Sequence, residues 1–165
     1  MNILFLDEDV EKSAMCHSDR DLSVYAVQAA RMASNAHHRF VNKNVSLCDL
    51  YPEYRVTSKT NLWVAEVLPN YTYCVNYGLA LAKEYKYRTQ KILTVKYMLV
   101  TLKVNFPIMP KAMKMTQPPL NMIAKHRNPL NLIDSYRTWY THTMNGTSTW
   151  TKRAAPVWMD RFSIV

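Results

Sequence analysis

Residues 18–39 read SDRDLSVYAVQAARMASNAHHR, and this stretch decides the fold class. Apolar side chains recur in it at helical spacing, as in Leu22, Ala29 and Ala33, which predicts one long helix with a buried face. Most of the side chains on that face are alanines, so a second helix can approach closely. The basic residues 37–39 suit the C-terminal end of the helix.

Further helical patterns flank this stretch on both sides. Residues 3–6 are short and apolar; they predict a short N-terminal strand, with a buried lead-in to the first helix as the alternative. Pro69 fits the first turn of a helix, and Asn131 is a candidate N-cap. The remaining helices are predicted at roughly 8–17, from 60 onward, 70–87, 88–103 and 131–143.

Residues 104–129 interrupt the helical pattern. They contain five of the eight prolines and several cations, which predicts a long, basic, proline-rich loop. Trp150, Trp158 and Phe162 form an aromatic tail that we expect to pack back on the core. The chain is therefore predicted to be mostly α, as a single compact helical domain over residues 1–165.

Composition excludes several classes of protein. With 48% hydrophobic residues and two glycines in 165 residues, collagen, low-complexity chains and glycine-rich phosphate-loop enzymes do not fit. Cys16, Cys48 and Cys74 are odd in number and form no C-x-x-C pair, so we expect reduced thiols in a cytosol-like compartment. The first residues do not resemble a signal peptide, and no apolar run approaches the ~20 residues of a membrane span. No metal, cofactor or membrane partner is predicted.

Charge is divided unevenly along the chain, which carries a formal net charge of +9. Residues 1–66 hold 7 Lys+Arg and 9 Asp+Glu, whereas residues 67–165 hold 14 and 3. Clustered cations with aromatic neighbours are what phosphate binding and base stacking need, so the basic part predicts a nucleic-acid partner, expected to be DNA. The candidate nucleic-acid-binding residues are Lys83, Lys86, Lys91, Lys96, Lys111, Lys114, Lys125, Arg127, Lys152 and Arg153. Tyr73, Tyr77 and Tyr87 lie off the apolar stripe of their helix, so we expect them to be exposed and open to stacking.

Polar residues form two further candidate groups. Glu66 with Asn70 and Glu84 with Arg88 are spaced i, i+4, so each pair shares one helix face. His17 and Asp19 form the second group, in which His17 would act as a general base oriented by the carboxylate. These six residues are the catalytic candidates. The alternative interpretation is structural: a buried network for the helix pairs, and capping or solvation for the residues at 17 and 19.

Motifs spread along the chain point to relatives. They include MNILFLD at 1–7, AMCHSDRD at 14–21, EYKYR at 84–88, SYRTWY at 135–140 and TWTK at 149–152. Together they resemble a family of small, uncharacterised proteins encoded mainly by bacteriophages, with a pattern that opens M-N-I-F-x-L-D and continues through H-C-D-K-H and E-Y-x-Y-R. The resemblance implies a viral protein acting in the host cytoplasm.

The chain departs from that pattern at positions that could carry chemistry. Ser18, Arg20 and Asp21 stand where the pattern has Cys, Lys and a second His, and Gln28 stands at its helix acid. A more distant similarity connects the chain to small phage pyrimidine-dimer DNA glycosylases. Those proteins are helical and basic, and they use the α-amine of the mature N-terminus together with a helix glutamate.

Two functions from different classes follow. The first is a phage-type DNA-binding protein, derived from a glycosylase- or nuclease-like enzyme and weakened in catalysis. The alternative is a non-enzymatic interaction protein that inhibits a host factor or defence system.

Overall fold

Two long helices pack against each other at the centre of a computed structural model of the chain. The structure describes residues 1–40, 44–46, 49–144 and 148–162, and these residues contain helices and no sheet. The mostly α prediction is therefore confirmed. The helices are α1 (Val10–Cys16), α2 (Asp19–Arg39), α3 (Lys59–Val64), α4 (Leu68–Thr89), α5 (Val95–Val104) and α6 (Leu132–Thr143), with 3₁₀ turns at Ala124–His126 and Val157–Phe162.

The central contact joins α2 to α4 and depends on small residues. Ala29 of α2 is fully buried, and Gly78 lies opposite it on α4. A Cβ atom placed on Gly78 would lie 2.9 Å from Ala29 Cβ and 2.9 Å from Leu99 Cδ1 of α5. The backbones of α2 and α4 therefore approach closely at this glycine, as the alanine-rich face of α2 predicts, and the Leu99 side chain of α5 packs against the same point.

The predicted N-terminal strand is wrong, since the described residues offer no second strand for it to pair with. Residues 3–6 are instead a buried lead-in to α1. Their backbone groups are satisfied by side chains: Leu4 N–H donates to Tyr77 Oη (3.3 Å), and Leu6 N–H donates to Ser13 Oγ (3.2 Å). Ser13 Oγ in turn donates to the Leu4 carbonyl (3.1 Å), so a side chain takes the place of a neighbouring strand.

The boundary between α4 and α5 differs from the prediction of a helix over 88–103. α4 continues to Thr89, and Gln90 then adopts a left-handed conformation with φ 60°. Its N–H donates to the Lys86 carbonyl (2.9 Å), which closes the helix. Such a stop normally requires glycine or asparagine, so the sequence gives no signal for it.

The expected positions of Asn131 and Pro69 at helix starts are confirmed, and Asp9 supplies a further cap. Asp9 caps α1 by accepting hydrogen bonds from two backbone N–H groups. Asn131 caps α6 by accepting from Asp134 N–H (2.9 Å), and Pro69 lies in the first turn of α4.

The proline-rich segment between α5 and α6 is a strap held against the helices. Leu68 N–H donates to the Pro110 carbonyl (2.8 Å), and Tyr136 Oη donates to the Pro119 carbonyl (2.8 Å). Met109 and Met122 of the segment are themselves buried. The segment is a loop, as predicted, but one fixed by specific contacts.

The aromatic tail packs back on the helices as far as it is described. Trp150 Nε1 donates to the Cys16 carbonyl (3.1 Å), and Trp158 lies against Tyr140 with ring centroids 6.2 Å apart. Cys16 and Cys74 are free thiols. Cys48 and the side chain of Phe162 lie outside the described residues.

Within the described residues, no helix combines the length and apolar character that crossing a membrane requires.

The α2–α4 contact predicts the effect of Gly78→Ala. Helix propensity alone would favour alanine by about 1 kcal/mol, but the added methyl group overlaps Ala29, which cannot move without moving α2. We expect a net loss of about 1–2 kcal/mol in the free energy of unfolding, measured by urea denaturation. Thr72→Ala, an exposed change on the same helix, is the matched control; a Gly78→Ala protein more stable than wild type would contradict the close contact.

Candidate functional site

Arg88 lies at the centre of a buried polar network near the end of α4, and its side chain has no exposed surface. Its Nε donates to Glu84 Oε1 (2.8 Å), one turn earlier on the same helix. Nη1 donates to Asp19 Oδ1 (3.0 Å) and to the His17 carbonyl (2.9 Å), and Nη2 donates to the Met15 carbonyl (2.9 Å). One guanidinium thus joins α4 to the end of α1 and the start of α2.

The two carboxylates of this network also hold the C-terminal tail. Glu84 accepts from Arg153 Nε (2.9 Å) and Nη2 (3.0 Å). Asp19 accepts from Thr149 Oγ1 (2.9 Å), Thr151 Oγ1 (2.8 Å) and Thr151 N–H (3.0 Å). Residues 149–153 are therefore fixed against the helices through the same acids that bind Arg88.

These contacts keep both carboxylates ionised. Burial alone would raise the pKa of Glu84, but hydrogen bonds from Arg153 and Arg88 outweigh it and lower that pKa. Burial likewise opposes ionisation of Asp19, whose pKa is lowered by hydrogen bonds from Arg88 and Thr151. The charged groups of the network thus neutralise one another and accept or donate one another's hydrogen bonds.

His17 is fully buried, and both of its ring nitrogens are occupied. Nδ1 lies 2.8 Å from the Ser13 carbonyl, which can only accept, so this nitrogen carries the proton. Nε2 then accepts from Tyr77 Oη (2.8 Å). Burial lowers the pKa of His17 to about 4, so the ring is neutral at pH 7. None of the hydrogen bonds of this site joins His17 to the Asp19 carboxylate. Instead, the His17 carbonyl and the Asp19 carboxylate both accept from Arg88.

Glu66 and Asn70 form a separate cluster at the other end of α4. The prediction that they share one helix face is wrong, because Glu66 lies in the turn between α3 and α4, and only Asn70 is helical. Asn70 Nδ2 donates to the Trp63 carbonyl (2.8 Å) and to Thr116 Oγ1 (2.8 Å), and Asn70 Oδ1 accepts from Thr116 N–H (3.0 Å). Thr116 Oγ1 donates to Glu66 Oε2 (2.7 Å). At 1.5 Å per residue, Asn70 and Arg88 are about 27 Å apart along the helix. The six catalytic candidates therefore form two clusters, and this one fastens the proline-rich strap.

The predicted exposure of the tyrosines is correct for one of three. Tyr87 is 46% exposed, whereas Tyr77 is fully buried and bonded to His17. Tyr73 stacks between Phe5 and Tyr77, with ring centroids 5.0 Å and 6.5 Å away. A single apolar stripe predicts one buried face for α4, but the helix packs against α1, α2 and α5 and is buried on more than one side.

Gln28, at the helix position where the resemblance places an acid, lies beside the first residues of the chain. Its Oε1 accepts from Asn2 N–H (2.8 Å). An amide does not titrate near neutral pH, so Gln28 cannot accept a proton as a glutamate would.

A small polar cavity of about 180 Å³ lies next to the start of α2. Asp21, in its wall, accepts from Tyr140 Oη (2.6 Å), and Tyr140 Oη accepts from Ser18 N–H (2.8 Å). This volume is below the range usual for small-molecule sites. The cavity is lined by Ser18, Arg20, Asp21, Thr143, Met144, Ser148 and Thr149.

A longer depression follows the outer face of α4, and we call it the α4 groove. It consists of three adjoining depressions of about 520, 310 and 110 Å³. The first two share Asn76 in their linings, and the last two share Ala80. From Leu68 to Tyr87 it is about 28 Å long. Its lining comprises Leu68, Pro69, Thr72, Tyr73, Asn76, Leu79, Ala80, Lys83, Glu84 and Tyr87 of α4; Val10, Glu11 and Met15 of α1; and Lys103, Lys111, Ala112 and Arg153.

Four cations line the α4 groove. Lys83 pairs with Glu11 (2.9 Å), and Arg153 pairs with Glu84 (2.9 Å). Lys103 and Lys111 make no ion pair within the part of the chain that the structure describes. Lys103 is absent from the sequence-predicted set, because only the fold brings α5 to the edge of α4.

The other predicted cations are divided between two places. Lys86, Lys91 and Lys152 are exposed at or beyond the end of α4. Lys152 Nζ lies 5.9 Å and Arg153 Cζ 4.4 Å from the centroid of the Tyr87 ring. The remaining predicted cations lie on other faces, away from the α4 groove. They are Lys96, which is half-buried on α5, and Lys114, Lys125 and Arg127, which are exposed on the strap.

Comparisons of the chain with protein families, with curated proteins and with solved structures find no match. The resemblance to phage proteins therefore remains a prediction from the motifs. Among the described residues, no three His, Cys, Asp or Glu side chains cluster in a way that could hold a metal ion.

The buried network predicts a large effect for Arg88→Ala. The change removes the partner of two carboxylates and leaves two buried carbonyls unpaired, although Arg153 still neutralises Glu84. We therefore expect a loss of about 3 kcal/mol in unfolding free energy, at the lower end for breaking a buried pair. Lys86→Ala, an exposed change on the same turn of α4, should alter stability by less than about 0.5 kcal/mol. If the two variants lost equal unfolding free energy, the hydrogen bonds of Arg88 would not be what holds this end of the fold together.

His17 predicts a specific pH dependence of stability. Its pKa of about 4 in the folded state is below that of an exposed histidine, so the unfolded chain binds a proton first as pH falls. Stability is then lost between about pH 6.5 and 4, with one proton contributing a slope of about 1.4 kcal/mol per pH unit. His17→Gln should remove that part of the slope in urea denaturation curves. His142→Gln, at an exposed ring, is the control; an unchanged slope in His17→Gln would contradict the buried neutral histidine.

Proposed function

We propose that this protein binds nucleic acid through the α4 groove. The observation that supports this most is that Lys103 and Lys111, which make no ion pair among the described residues, line one groove. Lys83 and Arg153 line the same groove, where they are paired with Glu11 and Glu84. Phosphate backbones bind to such rows of cations because binding releases condensed counterions. No acidic residue occurs between Glu84 and Asp134, so α5 and the strap add only positive charge beside the groove.

The aromatic residue at one end of the groove supports the same proposal. Tyr87 is 46% exposed, and the Arg153 guanidinium lies over its ring. Bases stack on aromatic rings and on guanidinium planes in nucleic-acid complexes. A cation and a ring held together can therefore bind a phosphate and a base at neighbouring positions.

The proposal requires no catalytic step. The hydrogen-bonding groups of His17, Arg88 and Asn70 are engaged by the fold, and the two clusters lie at opposite ends of α4. The catalytic candidates therefore have structural partners. We accordingly propose a nucleic-acid-binding protein that descends from an enzyme.

A second candidate, contact with a host protein, is favoured by the exposed face of α5. Tyr97, Val100 and Val104 are 64%, 43% and 71% exposed, and their spacing puts them on one side of the helix. Exposed apolar patches of this kind mark protein contacts. A photocrosslinking amino acid at position 104, with position 59 on α3 as the control, would capture such a partner inside cells.

Charge reversal tests the nucleic-acid proposal. In Lys103→Glu/Lys111→Glu, two phosphate contacts are lost, so affinity for a fluorescein-labelled 20-nucleotide DNA should fall at least about tenfold. The slope of log K against log salt should become shallower by about 1.4–1.8, as expected for two contacts. Fluorescence anisotropy at several salt concentrations gives both quantities.

The matched control is Arg39→Glu/Lys59→Glu, which makes the same charge change at exposed positions away from the groove. Its affinity for the DNA should stay within about twofold of wild type, because contacts in the groove and not the net charge determine binding. Equal losses in both double variants, or wild-type binding that does not respond to salt, would contradict the proposal.

A further inference from the structure

The floor of the α4 groove is apolar where the groove is widest. The part of about 520 Å³ is lined mainly by Leu68, Pro69, Tyr73 and Ala112, with Thr72, Asn76 and Lys111 as its polar members. A phosphate placed on such a floor would lose its hydration without a compensating partner. A base is flat and largely apolar, so the floor suits a base while the lysine suits the phosphate beside it.

Tyr73 contributes a fixed aromatic ring to this part of the groove. Its ring is held between Phe5 and Tyr77, so its faces are not open for stacking. Its hydroxyl is buried and has no hydrogen-bond partner. Burial raises the pKa of Tyr73, so the hydroxyl stays protonated and can donate. The hydroxyl lies beneath the surface that a ligand can touch, so only the ring of Tyr73 belongs to the lining.

The shape of the basic surface argues against a duplex as the ligand. Double-stranded DNA is read by an element that enters the major groove, usually a helix with polar side chains directed outward. The basic face of α4 is concave and flanked by α1, α5 and the strap. The neighbouring exposed helix face, on α5, presents Tyr97, Val100 and Val104, and its valines cannot hydrogen-bond to base edges.

We infer that the α4 groove takes single-stranded nucleic acid, with one base in the pocket of Leu68 and Tyr73 and the phosphates along Lys111 and Lys103. A second base stacks at Tyr87 and Arg153, at the opposite end. At the ~3.4 Å rise of a stacked strand, the groove spans about eight nucleotides. This inference rests on the proposed function and specifies its ligand.

A comparison of strand forms tests it. A fluorescein-labelled 12-nucleotide DNA is titrated alone and annealed to its complement, at two salt concentrations, with anisotropy as the readout. We expect the single strand to bind at least tenfold more tightly than the duplex. A duplex that binds equally or more tightly overturns the single-strand inference and leaves the proposed function standing. Binding to neither form overturns both.

Ala112→Asp tests the pocket itself. Ala112 is exposed, so the variant should fold as wild type, while a carboxylate against the bound base should lower affinity for the single strand at least threefold. Ala124→Asp makes the same charge change at an exposed position outside this pocket and is the matched control. Equal losses in the two variants, or unchanged binding by Ala112→Asp, overturn the assignment of a base to this pocket.

Discussion

Removing the guanidinium of Arg88 from water is unfavourable unless its donors find acceptors, and this constraint organises one end of the molecule. Two carboxylates and two carbonyls accept four hydrogen bonds from it, and they come from α1, α2 and α4. Because Glu84 also binds Arg153, the same charge places the tail beside the groove. The buried network and the basic surface are therefore physically connected, with Glu84 shared between them.

This connection separates the polar residues by role. His17 and Asn70 are buried and hydrogen-bonded within the fold, at sites that a ligand cannot reach without displacing packed groups. Lys103 and Lys111 have no such partners among the described residues, and they border a concave surface. Groups whose bonds are complete stabilise the fold, whereas cations without partners remain available for an anionic ligand. The arrangement suits binding more than chemistry.

The sequence predicted the features that depend on near neighbours. Helical spacing predicted α2, its small-residue face predicted the close contact at Gly78, and the i, i+4 spacing predicted the Glu84–Arg88 pair. Features that depend on distant residues were not predictable. Tyr77 looked exposed because its partner His17 is 60 positions away. Lys103 joined the groove only through the packing of α5 on α4, and the stop at Gln90 carries none of the usual residues.

The most direct test of nucleic-acid binding in the α4 groove is photocrosslinking with a 12-nucleotide single strand containing 4-thiothymidine, followed by mass spectrometry of the linked peptides. The account predicts crosslinks within residues 68–87 and 103–112. Crosslinks confined to the small cavity at residues 18–21 and 143–149, or to the outer face of α3, would contradict it.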